Sequence, residues 1–203
     1  MNKIKLNDLN KLLKECRIGT NRDEIESTPF LGVHHYNEWD HGYDAIYGYN
    51  GARREFYEDT RKMTEFLIEY FETNEIKEII IAPCYRYNQF DKRYGCSKNM
   101  PGNDIFYNIL EFLHGQGVKK GDRTGIKMLV DKNISILEMI LEGSFRGVSE
   151  LCLFSFENKV LIEPTHHFEL IFWTNEVENI KKSVNTLLHN YSELKCFGMV
   201  FKS

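Results

Sequence analysis

The chain has 203 residues, 42% hydrophobic and 28% charged, with four prolines; this is the composition of one globular domain and excludes a disordered chain. A formal charge of −4 argues against a general nucleic-acid-binding face, which needs clustered Lys and Arg to displace counterions from phosphates. Five cysteines form no Cys-x-x-Cys pair, no apolar run near Met1 is long enough for a secretory leader, and the longest apolar stretches, such as Ile79–Cys84, fall far short of the ~20 residues that span a bilayer. A soluble cytoplasmic protein is therefore expected, with no membrane partner and no cofactor.

In chain order, Asn7 is expected to cap a short helix with Leu9, Leu12, Leu13 and Cys16 on one face, stopped at Gly19. From Thr20 to Gly51 periodicity fails at Gly32, Gly42, Gly48 and Gly51, predicting loops with one or two short strands. A long helix runs from Asn50 to about Thr73, because Phe56, Met63, Leu67, Tyr70 and Phe71 recur at three- and four-residue steps. The β-branched run Ile79-Ile80-Ile81 predicts a strand buried on both faces. After a polar loop over 86–100 and the turn Pro101-Gly102 comes a helix bearing Ile105, Phe106, Ile109, Leu110 and Leu113.

Gly125 to Val130 reads as a strand, and Asp131 or Asn133 caps a helix reaching Gly143. Glu150 to Phe156 and Val160 to Ile162 read as a hairpin that Pro164 ends, and His167 to Thr174 as a third strand. Asn175 then caps a helix carrying Val177, Ile180, Val184, Leu187 and Leu188, and Cys196 to Phe201 forms the last strand. Strand runs segregate from helix runs, so the expected fold is a single α+β domain over 1–203, with a mixed or antiparallel sheet and helices packed on one face. Residues 1–52 are expected to be an irregular segment with a short helix, and 53–203 the regular core.

Four groups of residues could carry function. Between Asp23 and Asp59 nine acids face two bases, Arg53 and Arg54, and Tyr36, Glu38, Trp39, Asp40, Tyr43, Asp44 and Tyr47 alternate rings with carboxylates. Such a surface suits a basic partner, since complementary charge speeds encounter and aromatic anchors slow release; the competing reading is a solvated stretch whose rings complete the core. His34, His35 and His41 are candidate metal ligands, although neighbouring histidines on a strand point apart and no His-Glu-x-x-His completes a site. His166, His167 and Glu169 offer an acid–base group at a strand turn, against the alternative of an ordinary polar sheet face. Arg86 to Lys98 interleaves bases with aromatics, as single-strand nucleic-acid platforms do, but four positive groups make a small patch and a solvated loop accounts for them. Neither a P-loop nor a dinucleotide fingerprint can be written from the glycines.

From Arg53 onward the layout resembles small bacterial immunity proteins that neutralise polymorphic or contact-dependent toxins. The resemblance is carried by Leu151-Cys152-Leu153-Phe154-Ser155-Phe156 and by Phe168-Glu169-Leu170-Ile171-Phe172-Trp173-Thr174-Asn175-Glu176-Val177, which look like the C-terminal part of such proteins. It covers about three-quarters of the chain in style, with no diagnostic motif, and transfers no individual binding residue. It implies cytoplasmic binding of a cognate toxin domain, often a cationic nuclease, with masking of its active site. The expectation is thus an interaction protein of immunity or antitoxin type; the alternatives are a small hydrolase or nuclease using His166, His167 and Glu169 with a metal near His34, His35 and His41, or a phage or regulatory binding module.

Overall fold

Three consecutive isoleucines organise the architecture. In a strand, successive side chains point to opposite faces, and Ile79, Ile80 and Ile81 are all buried. Ile79 and Ile81 join one apolar cluster, whereas Ile80 and Ala82 join a second. Both sides of this strand therefore need a cover.

A computed structural model describes residues 1–35, 50–83, 103–119, 122, 124–147, 149 and 151–198. Their order is β1 (Asn2–Lys5), α1 (Leu6–Glu15), α2 (Arg22–Glu26), β2 (Phe30–His35), α3 (Asn50–Thr73), β3 (Glu78–Pro83), α4 (Asn103–Gly115), β4 (Thr124–Leu129), α5 (Ile134–Phe145), β5 (Leu151–Ser155), β6 (Val160–Thr165), β7 (Glu169–Trp173), α6 (Val177–Leu188) and β8 (Leu194–Phe197). The strands form one open sheet in the order β1-β4-β3-β5-β6-β7-β2-β8, with every neighbouring pair antiparallel. The fold is a single α+β domain.

The four longer helices supply the larger core on one face. Phe56, Met63, Phe66, Leu67, Tyr70 and Phe71 of α3 are buried there with Leu137, Ile140 and Leu141 of α5 and with Ile180, Val184 and Leu187 of α6. Burying six such side chains from α3 alone contributes on the order of 10 kcal/mol before chain entropy is charged against it. The opposite face is partly covered by Leu9 and Leu13 of α1, by Cys16 directly after it and by Ile25 of α2, which pack on Ile80, Ala82, Cys152, Phe154, Leu161 and Trp173.

Several local expectations change. The segment before Arg53, expected to hold one short helix and loops with one or two short strands, adds β1, which was not expected, and β2 to opposite halves of the same sheet. β6 continues through Pro164 to Thr165: the proline pairs with Leu170 of β7, and the registered pairing with β5 ends at Ile162, so its missing N–H breaks no rung there. β7 begins only at Glu169, which leaves His167 in the turn with His166 rather than on a strand face. Asn175 does not cap α6; its amide donates to the Arg17 carbonyl at 2.7 Å. Arg17 has a left-handed backbone (φ 57°) after α1, and the Ile18 N–H returns to the Leu13 carbonyl, so the stop is made by Arg17 ahead of Gly19. Of the last predicted strand, Met199 onward lies outside the described residues.

Candidate functional site

The end of β2 divides two adjacent histidines between the two faces of the sheet. His35 points toward the long helices and is buried, its Nε2 lying 3.2 Å from Asp59 Oδ1 of α3; the two side chains are 1% and 8% exposed. The His35 N–H donates to the Phe168 carbonyl at 3.3 Å. Phe168 is a left-handed phenylalanine (φ 62°), a conformation that costs an L-residue roughly 1–2 kcal/mol. Ring packing holds it there: Phe168 stacks on Phe145 at 4.3 Å and meets Phe56 edge-on at 5.3 Å and His35 at 6.0 Å.

Next to this aromatic cluster lies Arg146, directly after α5. Its guanidinium sits over the rings of Phe56 and Tyr57 at 5.5 and 5.2 Å, donates to the Tyr57 hydroxyl, and is paired with Glu142 one turn earlier. Burial pushes the Glu142 carboxyl above its ordinary range; Arg146 opposes that shift, while Asp104 and Glu138 add to it. Asp59, Phe56, Tyr57 and Arg146 thus form a packed platform within α3 and at the end of α5, and His35 ties the end of β2 to it. Residues 36–49 lie between β2 and α3 in the chain. The partner-binding candidates Tyr36, Glu38, Trp39, Asp40, Tyr43, Asp44 and Tyr47, and His41 with them, lie outside the described residues.

His34 points to the other face. The registers place it directly across from Glu169 on β7 and from Lys195 on β8, and Glu169 across from Thr165 on β6. Thr165, Glu169, His34 and Lys195 therefore form one row over four strands. The Thr165 hydroxyl donates to Glu169 Oε2 at 3.1 Å, and His34 meets the Phe197 ring edge-on at 5.3 Å. On the same face, Trp173 Nε1 of β7 donates diagonally to Glu163 Oε2 of β6 at 2.8 Å. The sequence had separated the His34 group from the Glu169 group; cross-strand pairing brings the two together.

The rings of His166 and His167 lie with centroids 4.0 Å apart, tilted by 40°, in the β6–β7 turn. Partial desolvation first, then the neighbouring His167, hold His166 below the ordinary imidazole value, while Glu169 pulls the other way. Among the described residues no three His, Cys, Asp or Glu side chains converge as a metal ligand set, and His34 and His35 face opposite ways across the sheet. The described cysteines Cys16, Cys152 and Cys196 are thiols. Burial raises Cys16 and Cys196, which lowers their thiolate content. The basic-aromatic stretch 86–98, with Cys84 and Cys96, lies outside the described residues.

Asp59, Arg146, Glu142, Tyr57 and Phe168 were not singled out by sequence reasoning. Glu142 and Arg146 are four apart, a spacing that signals a helical ion pair. Asp59 looked like one more solvent-facing acid of the acidic block. No family model, no curated protein and no solved structure matches this chain.

Proposed function

We propose that the chain is an interaction protein of immunity or antitoxin type, whose segment from Tyr36 to Tyr47 contacts a basic toxin domain in the cytoplasm of a producing bacterium. The observation that carries this reading is the packing of the strand that leads into that segment: β2 finishes on a histidine buried against Asp59 of α3, with its N–H donating to the Phe168 carbonyl. A recognition segment that leaves a well-packed strand loses less entropy on binding. The acidic balance and the alternation of rings with carboxylates supply the chemistry that a cationic surface would meet.

The test uses the full chain as bait in extracts of its source cell, alongside a variant with Glu38, Trp39, Asp40 and Asp44 all changed to Ala. The reading expects a basic protein to be retained by the wild type, released by salt, and lost from the variant. Equal retention by both baits overturns it.

A second reading, a small hydrolase or nuclease, is supported by the Thr165–Glu169–His34 row. It expects turnover of an ester or phosphodiester substrate that Glu169→Gln abolishes without unfolding the chain. Turnover unchanged by that substitution removes it.

A further inference from the structure

We infer that the β6–β7 turn is an acid-sensitive clasp: protonation of the closely apposed His166–His167 pair loosens the turn and releases the end of β2 from the Phe168 carbonyl. This is independent of the partner's identity and of whether the chain binds one.

The turn is closed by few bonds. The His167 N–H donates to Thr165 Oγ1 at 3.2 Å, the Phe168 N–H to the Thr165 carbonyl at 3.1 Å, and the Thr165 hydroxyl to Glu169 Oε2 at 3.1 Å. Its last residue, Phe168, is held in a left-handed conformation by packing against backbone preference. A turn held in this way relaxes when one restraint weakens. The same residue carries the carbonyl that receives the His35 N–H, so its backbone links the turn to β2.

Among the described residues, charge is balanced for one cation only. The described groups that bear on His166 are His167 and Glu169, both from its own hairpin. From the end of α5 the turn faces Gly147, whose missing Cβ would stand 3.5 Å from His166 Cβ, and beyond it Arg146, engaged by Glu142 and Tyr57. From β2, His34 is directly across from Glu169, and His35 is turned to Asp59 of α3. One imidazolium can therefore be offset by Glu169, but two with ring centroids 4.0 Å apart cannot. At that separation in water, two unit charges repel by an amount equivalent to roughly a five-fold population shift.

The sign follows from the direction of the His166 shift. The fold favours its neutral form, so the clasp is intact above the ordinary imidazole value of 6.5 and weakens as pH falls below it. Amide hydrogen exchange of the full chain, corrected for intrinsic rates at pH 7.5 and pH 5.5, reads this directly. The His35 N–H is expected to lose roughly five-fold of its protection relative to a β5 amide such as Leu153. The double variant His166→Gln/His167→Gln should keep its protection at pH 5.5, whereas His189→Gln, changed at an exposed histidine after α6, should lose it like the wild type. The single exposed change His167→Gln should remove most of the effect, because it leaves one imidazole for Glu169 to balance. Unchanged His35 protection in the wild type, or a loss that persists in the double variant, overturns the inference.

Discussion

Arg146→Ala is the most informative perturbation of the platform. The guanidinium side chain is 2% exposed and its partner Glu142 is 12% exposed, so truncation leaves a carboxylate nearly sealed from water with no counterion. Breaking a buried pair from one side costs about 3–5 kcal/mol, and the lost contacts with the Phe56 and Tyr57 rings add roughly 0.5–2 kcal/mol. Glu142 limits the damage. Burial already raises its carboxyl, and without Arg146 it rises further, so the group can take up a proton instead of remaining charged. About 3–4 kcal/mol is therefore expected at pH 7.5, a large share of the roughly 5–15 kcal/mol that stabilises a domain. Because a raised carboxyl favours the fold when protonated, the deficit should shrink as pH falls through its folded value toward the ordinary 4.5. Urea unfolding followed by circular dichroism at pH 7.5 and 5.0 measures both quantities, and the double change Arg146→Met/Glu142→Leu should recover most of the loss. A deficit under about 1 kcal/mol, a deficit independent of pH, or a double variant no better than the single one would refute the reasoning.

Two further predictions concern stability. Glu193 is depressed to about 2, chiefly by the hydrogen bond from Lys62 of α3, so its contribution is present above the ordinary 4.5 and lost as pH falls from there through about 2. With Lys62 37% exposed, solvent screening limits that contribution to about 1 kcal/mol; Glu193→Gln should flatten the acid limb of the stability profile by that amount. Gly19→Ala should cost about 2 kcal/mol or more in urea unfolding, because the added Cβ would stand 2.2 Å from the Ile25 nitrogen and 2.3 Å from the Glu24 carbonyl carbon, which are backbone atoms of α2 that cannot turn aside.

The helices of the larger core were legible because their apolar residues repeat at helical spacing, as in Phe56, Met63, Leu67 and Tyr70. Ile79-Ile80-Ile81 likewise announced a strand covered on both sides. β1 was hidden because an edge strand of Asn2-Lys3-Ile4-Lys5 has little apolar signal, lysines being a common edge guard. β2 is one of the short strands expected between Thr20 and Gly51, but Gly32, read as a breaker, hid its place. The Phe197 ring of β8 occupies the place where its Cβ would be, a contact between residues far apart in the chain. Asn175 has the side chain of a helix cap, but the Arg17 carbonyl, distant in sequence, takes its amide. The candidate site divides the same way. The alternation of His34 and His35 could be read from strand period alone, whereas His35–Asp59 and His34–Glu169 depend on strand order and helix placement that no local pattern encodes.

The acidic-aromatic segment between β2 and α3 is proposed to meet a cationic partner. The most direct test is the association rate of the captured partner with the full chain at low and moderate salt, for the wild type and for the variant lacking Glu38, Trp39, Asp40 and Asp44. The account predicts that the wild-type rate falls by roughly ten-fold or more as salt is raised, that the variant is slow and nearly salt-independent, and that it dissociates faster for want of Trp39. Equal rates and equal salt dependence for the two proteins would contradict it.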